Sequence, residues 1–485
     1  MLVIGGGIYG ATAAWDAAQR GLRVALVEKA DFASGTSWNS LKTIHGGLRH
    51  LQRAELGLMR ESVRERRALL RIAPQLVRPL PVLVPTYGHG LRGREALALG
   101  VALGDLIGFD RNTGLPREQR IPRGRLLSRR EACELLPGLP ERGLTGAALW
   151  YDAQAESTER LVVALLRAAA EHGACLANYA EATALRLSKG RVTGAHVIDR
   201  ETGSSLEVTA RFVINAAGPW ADAILSTSGV SRPAVPLLRA VNLVLGRRVV
   251  ARHAVGARVG GRFLFLVPWR DRALVGTDYE PADGLPAHAM AWRFLEDARR
   301  AFPWVGLGPD DVSLLHVGLV PGRGGADGLW SHSLVIDHEA EDRLPGLLTI
   351  LGAKYTTARA VAERAVDRVV ARSAVRCAPC RTAETPLEWA RSLDGPPEER
   401  ARQAAVDEMA RCLADAVLRR LDLGTGGRPA EDLIAATARG MVAALGWTPE
   451  RVGQERAALD AALAALRLQQ AATIPDAPAR GSASP

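Results

Sequence analysis

The residues able to do chemistry in this chain fall into a few separated clusters. The first is Gly5-Gly6-Gly7-Ile8-Tyr9-Gly10, a G-x-G-x-x-G run, with Glu28 eighteen positions after Gly10. In such a run the first glycine turns tightly and the second lets the backbone approach a pyrophosphate. The third lets a helix pack closely on a strand, and an acid about 20 residues on accepts hydrogen bonds from a ribose. The second cluster runs through Thr36, Ser37, Ser40, Lys42, His45, Gly46, Arg49 and His50, dense in hydroxyls and glycines and suited to wrapping a long polar ligand. Two small-residue turns follow much later, Ala216-Ala217-Gly218-Pro219-Trp220 and Gly352-Ala353-Lys354-Tyr355-Thr356-Thr357. His50 and His316 are the candidates for taking a proton from a substrate hydroxyl, because histidine titrates near neutrality. Arg49 is a candidate contact for a substrate anion. The chain has only four lysines, and two of them, Lys42 and Lys354, stand inside these clusters. In a chain that otherwise uses arginine so heavily, this points to a role for the ammonium itself.

Recognisable elements position these clusters. Leu2-Val3-Ile4 reads as a strand entering the glycine turn, followed by an Ala-rich helix ending near Gly21 and a strand, Val24-Ala25-Leu26-Val27, that delivers Glu28. Strand, glycine turn, helix, strand and acid together make a dinucleotide fingerprint, with helix N-terminal amides for the phosphates. Phe212-Val213-Ile214-Asn215 and residues 347–351 are further strands, each ending in one of the small-residue turns. Open α/β sheets bind ligands at the carboxyl ends of their strands, so the three turns are expected to converge on one elongated ligand. The fingerprint by itself leaves NAD and FAD equally open.

Composition narrows the class. The 485 residues allow roughly two to four domains at about 100 to 200 residues each. With 47% hydrophobic and 24% charged residues the chain is globular, neither disordered nor fibrous. Its +10 charge is spread without a run of five basic residues, which argues against nucleic acid as a partner and leaves a general preference for anionic substrates or an anionic membrane surface. Five cysteines, an odd number thinly spread, argue for a reducing compartment, so a cytoplasmic location is expected. The chain opens on a strand, so no signal peptide is expected. Cys377-Ala-Pro-Cys380 has the spacing of a redox or zinc pair, yet it lacks a second pair and falls in a linker, so no metal site is expected. Residues 96–109, interrupted by Asp105, are too short to span a bilayer, and any membrane contact is expected to be peripheral.

Residues 3–10, the block from Thr36 to Arg49, the Asn215-Ala216-Ala217-Gly218-Pro219-Trp220 turn and the Gly352-Ala353-Lys354-Tyr355-Thr356-Thr357 turn resemble the FAD-dependent glycerol-3-phosphate dehydrogenases, within the wider D-amino-acid-oxidase-like flavoproteins. The resemblance continues through Phe265-Leu266-Val267-Pro268-Trp269, Gly276-Thr277-Asp278 and Ala404-Ala405-Val406-Asp407-Glu408-Met409, and so covers roughly residues 2–466. It implies noncovalent FAD and a hydride passing from a substrate carbon to the flavin. Carried over by position, Gly5, Gly7, Gly10 and Glu28 would hold the ADP half, and Thr36, Ser37, Ser40 and Lys42 would follow the pyrophosphate and flavin side chain, with His45 and Gly46 in the same block. Gly218 belongs to the second FAD turn. Gly352, Lys354 and Thr356 would lie at a helix N-terminus facing the isoalloxazine, where a positive end stabilises the reduced, anionic flavin.

The substrate side departs from the family pattern. Gly-x-Arg-Pro, whose arginine is expected at the phosphate or reacting carbon, reads Gly318-Leu319-Val320-Pro321; the tyrosine expected after Arg49 is His50; and Gly-Ser-His reads Ala240-Val241-Asn242. A phosphate that loses a charge-assisted pair loses about 1.5 to 3 kcal/mol. Arg323 or Arg239 would be the replacements. The leading expectation is an FAD-dependent dehydrogenase oxidising a small secondary alcohol, such as glycerol 3-phosphate or a related polyol phosphate, with a quinone-like acceptor. The alternatives are an oxygen-using oxidase of another hydroxy or amino acid, and a flavin-binding protein without turnover. Peripheral membrane contact and a homodimer are compatible with each.

The expected architecture is α/β: a doubly wound, Rossmann-like FAD-binding domain (about residues 1–60, 150–235 and 333–372) with an inserted α+β substrate domain (about 61–149 and 236–332). An all-α C-terminal domain follows over 383–468. Residues 372–393 read as a linker. Beyond it, Val406, Met409, Leu413, Val417 and Leu421 recur at three- and four-residue spacing and predict one apolar helical stripe. Thr448-Pro449-Glu450 starts a further helix with Leu459, Leu463 and Leu466 on one face. Residues 469–485, poor in large apolar side chains, read as a disordered tail.

Overall fold

The computed structural model describes every residue except 91–92, 231–233, 323–327, 331, 391–392 and 469–485, and all side chains of the described residues except that of Gln52. The expected tail and Arg323 therefore lie outside the described residues.

The short apolar segments Leu334–Asp337, Leu347–Leu351, Val213–Asn215, Leu2–Ile4, Ala25–Val27 and Cys175–Ala177 form a six-stranded sheet in that order. All pairs are parallel except the first. The register sets Ile4 opposite both Asn215 and Val27, so Gly5, Ala216 and Glu28 leave the sheet side by side at its carboxyl edge. Side chains alternate between two cores, as the pleat requires. Val3, Leu26, Ile214 and Leu348 meet the helices Ile8–Gln19, Thr158–Glu171 and Ala358–Ala371. The Ile8–Gln19 helix buries Ala11, Ala13, Ala14, Trp15, Ala17 and Ala18 round most of its surface, and its buried polar side chains Thr12 and Asp16 find local partners in the Ile8 carbonyl and Arg20.

The α/β class is as expected, but the second face differs from a doubly wound sheet. Leu2, Ile4, Val27, Val213 and Leu347 pack on a three-stranded antiparallel sheet, Ala180–Ser188, Arg191–Asp199 and Ser205–Thr209, and on the short helix Ala221–Ser226. Its first hairpin turns on Lys189 and Gly190, both at positive φ (48° and 71°), the pairing that a tight two-residue hairpin turn demands. Lys189 is thus a turn residue.

A second, nine-stranded sheet is built from Thr43–Ile44, Val77–Tyr87, Arg125–Leu127, Leu144–Ala155 and five strands between Leu237 and Pro321. The helix Ala287–Ala301 covers one of its faces with Met290, Ala291, Phe294, Leu295 and Ala298, one stripe at helical spacing. Its other side contributes to the cleft described below.

The C-terminal helices Pro397–Glu408, Glu431–Leu445 and Pro449–Ala465 share a core of Ala401, Ala404, Leu413, Val417, Ile434, Met441, Leu459 and Leu463. The single stripe predicted from Val406 to Leu421 is broken. Met409 turns left-handed (φ 58°), and the Asp415 carboxylate accepts the N–H groups of Arg411 (2.9 Å) and Cys412 (3.1 Å), starting a new π-helical segment, Asp415–Arg420. Val406 consequently faces solvent, 61% exposed. This domain is joined to the rest by buried charge pairs. Asp31 accepts from Arg419 and Arg420, and Arg160 pairs with Glu408.

Candidate active site

A continuous cleft of about 1890 Å³ runs between the carboxyl edge of the six-stranded sheet and the nine-stranded sheet. Small-molecule pockets usually occupy about 300 to 1,000 Å³, so there is room here for an extended cofactor together with a substrate.

At one end the three fingerprint glycines do three different things. Gly5 has φ 108°, and a Cβ there would sit 2.5 Å from the Ala216 carbonyl oxygen. A Cβ on Gly10 would lie 1.9 Å from the Gly5 carbonyl oxygen, so helix and turn touch at backbone level. A Cβ on Gly7 would meet only the Ser37 hydroxyl, at 3.0 Å, and its backbone faces the cleft. Glu28 accepts from the N–H groups of Gly6 (2.7 Å) and Ala30 (3.0 Å), and burial raises its pKa against those two bonds. A carboxylate has about four acceptor sites, so capacity remains for ribose hydroxyls. Gly218, at φ 56°, has open space around it on the same wall. A glycine turn open to the cleft beside a carboxylate with spare acceptor capacity is the chemistry the ADP half of FAD requires. Gly10→Ala is expected to purify with little or no bound FAD, read from the ratio of flavin to protein absorbance; full occupancy would mean the close approach is dispensable.

Along the next stretch the hydroxyls are already engaged. Ser37 Oγ accepts from the Ile8 N–H (3.0 Å), holding its hydroxyl at the helix start where a phosphate would lie. Ser40 Oγ accepts from the Lys42 N–H (3.3 Å). The Thr36 hydroxyl donates to the Leu319 carbonyl (2.8 Å) and accepts its N–H (3.1 Å), so its main task is to pin the Gly318-Leu319-Val320 strand. Lys42 corrects the sequence reading. Its backbone lines the cleft, but its amine donates to Trp38 O (2.8 Å), Thr158 Oγ1 (2.9 Å) and Glu159 Oε2 (2.7 Å), with both charged side chains fully buried. It is not available to a pyrophosphate.

At the other end the block from Thr43 to His50 is strapped to the Gly352 turn. A Cβ on Gly352 would lie 2.0 Å from Tyr9 Oη, and that hydroxyl donates to the Lys354 carbonyl (2.7 Å). The His45 N–H donates to Thr356 Oγ1 (3.1 Å), His45 Nδ1 meets Asp152 Oδ2 (3.2 Å), and the Gly46 N–H donates to Asp152 Oδ1 (2.6 Å). Gly46 also admits Arg66, whose Nη1 would be 2.2 Å from a Cβ.

The Lys354 amine donates to His50 Nε2 (2.8 Å), which leaves Nδ1–H of His50 to donate to Glu55 Oε2 (2.6 Å). Burial lowers the His50 pKa against the pull of Glu55. Burial, with Arg49 beside it, brings Lys354 down to about 8. Arg49 is exposed on the cleft wall. Three of the four catalytic candidates, Arg49, His50 and Lys354, thus meet at one place.

His316 does not join them. It is fully buried beside Trp38 (ring centroids 5.4 Å apart) and Trp269 (5.8 Å), behind the cleft wall, and burial drives its pKa to about 3. Arg239 is committed to the carbonyl oxygens of Ala282 and Leu285, so it does not replace the family arginine. Val320 lines the cleft beside Leu238, Ala240 and Ala353; Asn242, further along the neighbouring strand, accepts from the Thr277 hydroxyl (2.7 Å). Cys380 contacts Thr382 Oγ1 (3.1 Å) and is pushed by burial up to about 12, a thiol rather than a thiolate. Among the described residues no cluster of three or more His, Cys, Asp or Glu could hold a metal.

Sequence reasoning missed two acids. Asp152, in a strand of otherwise apolar burial, carried a signal, since a buried acid must have partners. Glu55 carried none, because its bond to His50 depends on a turn between them.

An FAD dependent oxidoreductase family model matches residues 1–368. The chain is 32% identical over 414 residues to a glycerol-3-phosphate dehydrogenase of Synechocystis sp., covering 80% of this chain and 73% of that protein. It is 37% identical over 419 residues to glycerol-3-phosphate dehydrogenase 1 of Mycobacterium tuberculosis, covering 82% and 77%. Among solved structures, the glycerol-3-phosphate dehydrogenase from Bacillus halodurans complexed with FAD has a TM-score of 0.72 at 24% identity, covering 96% of this chain and 94% of that one. The L-alpha-glycerophosphate oxidase from Mycoplasma pneumoniae with FAD bound shares the fold at a TM-score of 0.56 and 18% identity, over 80% of this chain and 98% of that one.

Proposed function

Because the chain belongs to the FAD dependent oxidoreductase family and is of the glycerol-3-phosphate dehydrogenase type, we propose that it oxidises the secondary alcohol of glycerol 3-phosphate, or of a closely related polyol phosphate, and passes the electrons to a quinone. The observation that carries this reading is the meeting of Arg49, His50 and Lys354 beside the Gly352 turn.

FAD bound in the cleft supplies a two-electron acceptor for the hydride leaving the substrate carbon. The residues do the rest. Lys354 in its neutral form donates one N–H to His50 and keeps its lone pair for the hydroxyl proton. Arg49 faces the substrate anion. The Tyr9 hydroxyl fixes the turn that presents Lys354. Without the family arginine at Val320 the phosphate is held less tightly, by about 1.5 to 3 kcal/mol, or roughly 10- to 150-fold in KM.

A quinone suits the mouth of the cleft. Leu99 and Leu103 of the helix Arg94–Ile107 line it and are 63% and 38% exposed, and Leu106 and Phe109 continue the apolar surface at 69% and 77%. Such a patch marks a site for an apolar partner. No described helix is long and apolar enough to cross a membrane. Peripheral contact through this face, on the cytoplasmic side, is the matching location.

Val320 gives the second reading its one specific support: an oxidase of another hydroxy or amino acid needs less anionic clamping. Steady-state turnover with glycerol 3-phosphate and a soluble quinone analogue tests the choice. Saturable turnover is expected, with a KM that falls about 10-fold or more in Val320→Arg. Turnover only with a hydroxy or amino acid and oxygen would replace the first reading with the second.

A further inference from the structure

The alcohol reading requires a path by which the hydroxyl proton leaves the cleft. We propose that Glu55 is the outward end of that path, a positioning residue that fixes the tautomer of His50 and receives its proton for release to water. The proposal rests on the reading of the same site given above.

The geometry is graded from inside to outside. Lys354 Nζ lies 2.8 Å from His50 Nε2, and His50 Nδ1 lies 2.6 Å from Glu55 Oε2. The His50 side chain is 8% exposed and that of Glu55 23%, so the carboxylate is the member that reaches solvent. The local chain is built for this contact. His50 belongs to the 3₁₀ turn Leu48–Arg53; Ala54 then adopts a left-handed conformation (φ 53°), and Glu55 returns to donate its backbone N–H to the His50 carbonyl (3.0 Å). Two bonds, one through backbone and one through side chains, hold the pair together. Glu55 also stands at the N-cap position of the helix Leu56–Ile72, where its side chain makes no capping bond and so stays with His50.

The proton balance is complete. The substrate C–H leaves as hydride to the flavin, and the O–H proton passes to the neutral Lys354 amine. The ammonium gives a proton to His50 Nε2 as His50 Nδ1–H gives one to the Glu55 carboxylate, which loses it to water. Proton exchange with solvent between turnovers returns His50 to its Nδ1–H form. Proton donation from the alcohol and two-electron loss at its carbon together yield the ketone.

The charged groups around this chain come from four segments. Arg49 and Arg53 lie on the same turn as His50, Glu61 on the following helix, and Lys354 on the Gly352 turn, while His332 faces Glu55. Glu61 marks the competing exit. It lines a void of about 30 Å³ on the far side of Lys354, shared with Ser333 and His332, enough for one water.

The test uses the FAD-loaded protein with Glu55→Gln, Glu55→Ala and Glu61→Gln. The first readout needs no substrate: the ¹⁵N spectrum of the histidine side chains, with the His50 signal identified by its loss in His50→Gln. His50 is expected as the Nδ1–H tautomer in the unaltered protein and in Glu55→Gln, whose amide oxygen still accepts that bond, and as a mixture in Glu55→Ala. The second is the pH dependence of anaerobic flavin reduction. In Glu55→Gln the limiting rate is expected to fall at least about 10-fold, with the rise in rate displaced to lower pH because a negative charge near Lys354 is gone. Glu61→Gln is expected to keep the unaltered rate.

An unchanged rate and pH profile in Glu55→Gln overturns the proposal, as does a loss confined to Glu61→Gln. An unaltered His50 tautomer in Glu55→Ala also overturns it. If glycerol 3-phosphate does not reduce the flavin at all, the substrate reading fails, and the tautomer measurement still decides the role of Glu55.

Discussion

Replacing Lys354 with methionine is expected to slow anaerobic flavin reduction by about 10²- to 10⁴-fold while leaving FAD bound. Methionine nearly matches the lysine stem in shape but has no lone pair to take the hydroxyl proton. The turn itself is held by backbone bonds, including the Tyr9 hydroxyl to the Lys354 carbonyl, so cofactor content should not change. With its pKa lowered by burial to about 8, Lys354 is mainly protonated at pH 7. The neutral amine is the base, so the rate should rise with pH through about 8 and then level off. That limb should be absent in Lys354→Met. Stopped-flow absorbance across pH 6 to about 10 reads both effects. A variant within a few-fold of the unaltered rate, with the limb intact, would place the base elsewhere.

The second large effect is on stability. Asp31→Asn is expected to cost about 3 to 5 kcal/mol, because it removes the anion that two buried guanidiniums share. Arg419 is left with Asp415 alone and Arg420 with the more distant Glu408 carboxylate. Asp31 is 1% exposed and accepts from Arg419 (2.5 Å) and from both ends of the Arg420 guanidinium (2.9 and 2.7 Å). Burial opposes its charge, yet Arg420 and Arg419 more than offset this and hold its carboxyl below the usual range. Its folded pKa is lowered, so its contribution is present above the unfolded carboxylate value and is lost as pH falls through the folded one. Asp31 also sits three residues after Glu28. Loss of the C-terminal contact is therefore expected to loosen the adenosine end of the cleft. Thermal unfolding followed by circular dichroism and by flavin fluorescence should show a lower midpoint in both, with FAD released at a lower temperature. A multidomain chain need not unfold in two states, so the midpoints rather than a fitted free energy are the comparison. An unchanged midpoint would mean the buried arginines find other partners.

Features set by backbone stereochemistry were the most legible in the sequence. The glycines at 5, 7 and 10 could be assigned because each answers a different geometric demand, and the structure shows the tight turn at Gly5 and the close helix packing at Gly10. The central strands were legible as continuous apolar runs because both of their faces are buried. What lies over the second face was not, since helix and sheet cover present the same apolar demand to the strands beneath.

Side-chain direction was the main loss. Lys42 lies in the right block, but its amine turns inward to Glu159, more than a hundred residues away in sequence. His316 lies on the same face of its strand as the cleft-lining Val320 and opposite Asn242, but Trp38, Trp269 and the Ser40 carbonyl close over its ring. Strand alternation gives the correct face for His316, but not that a distant segment carrying Trp38 and Ser40, the latter 276 residues earlier, covers it there. The break at Met409 was hidden for another reason. The apolar spacing continues across it, and the helix ends only because Met409 turns left-handed and the Ala410 N–H bonds back to the Ala404 carbonyl (3.0 Å). The bond between Glu55 and His50 depended on a left-handed alanine, which no residue type announces.

The central claim is that the cleft oxidises glycerol 3-phosphate with FAD as the first electron acceptor. Anaerobic addition of glycerol 3-phosphate to the FAD-loaded protein, followed at the flavin absorbance band, tests this without any second acceptor. Bleaching at roughly millimolar substrate or below is the expected result, and it would mean that Arg49 and its neighbours suffice without the arginine that Val320 replaces. A band that stays unchanged while dithionite still bleaches it would contradict the claim, because the flavin would be competent and the substrate wrong.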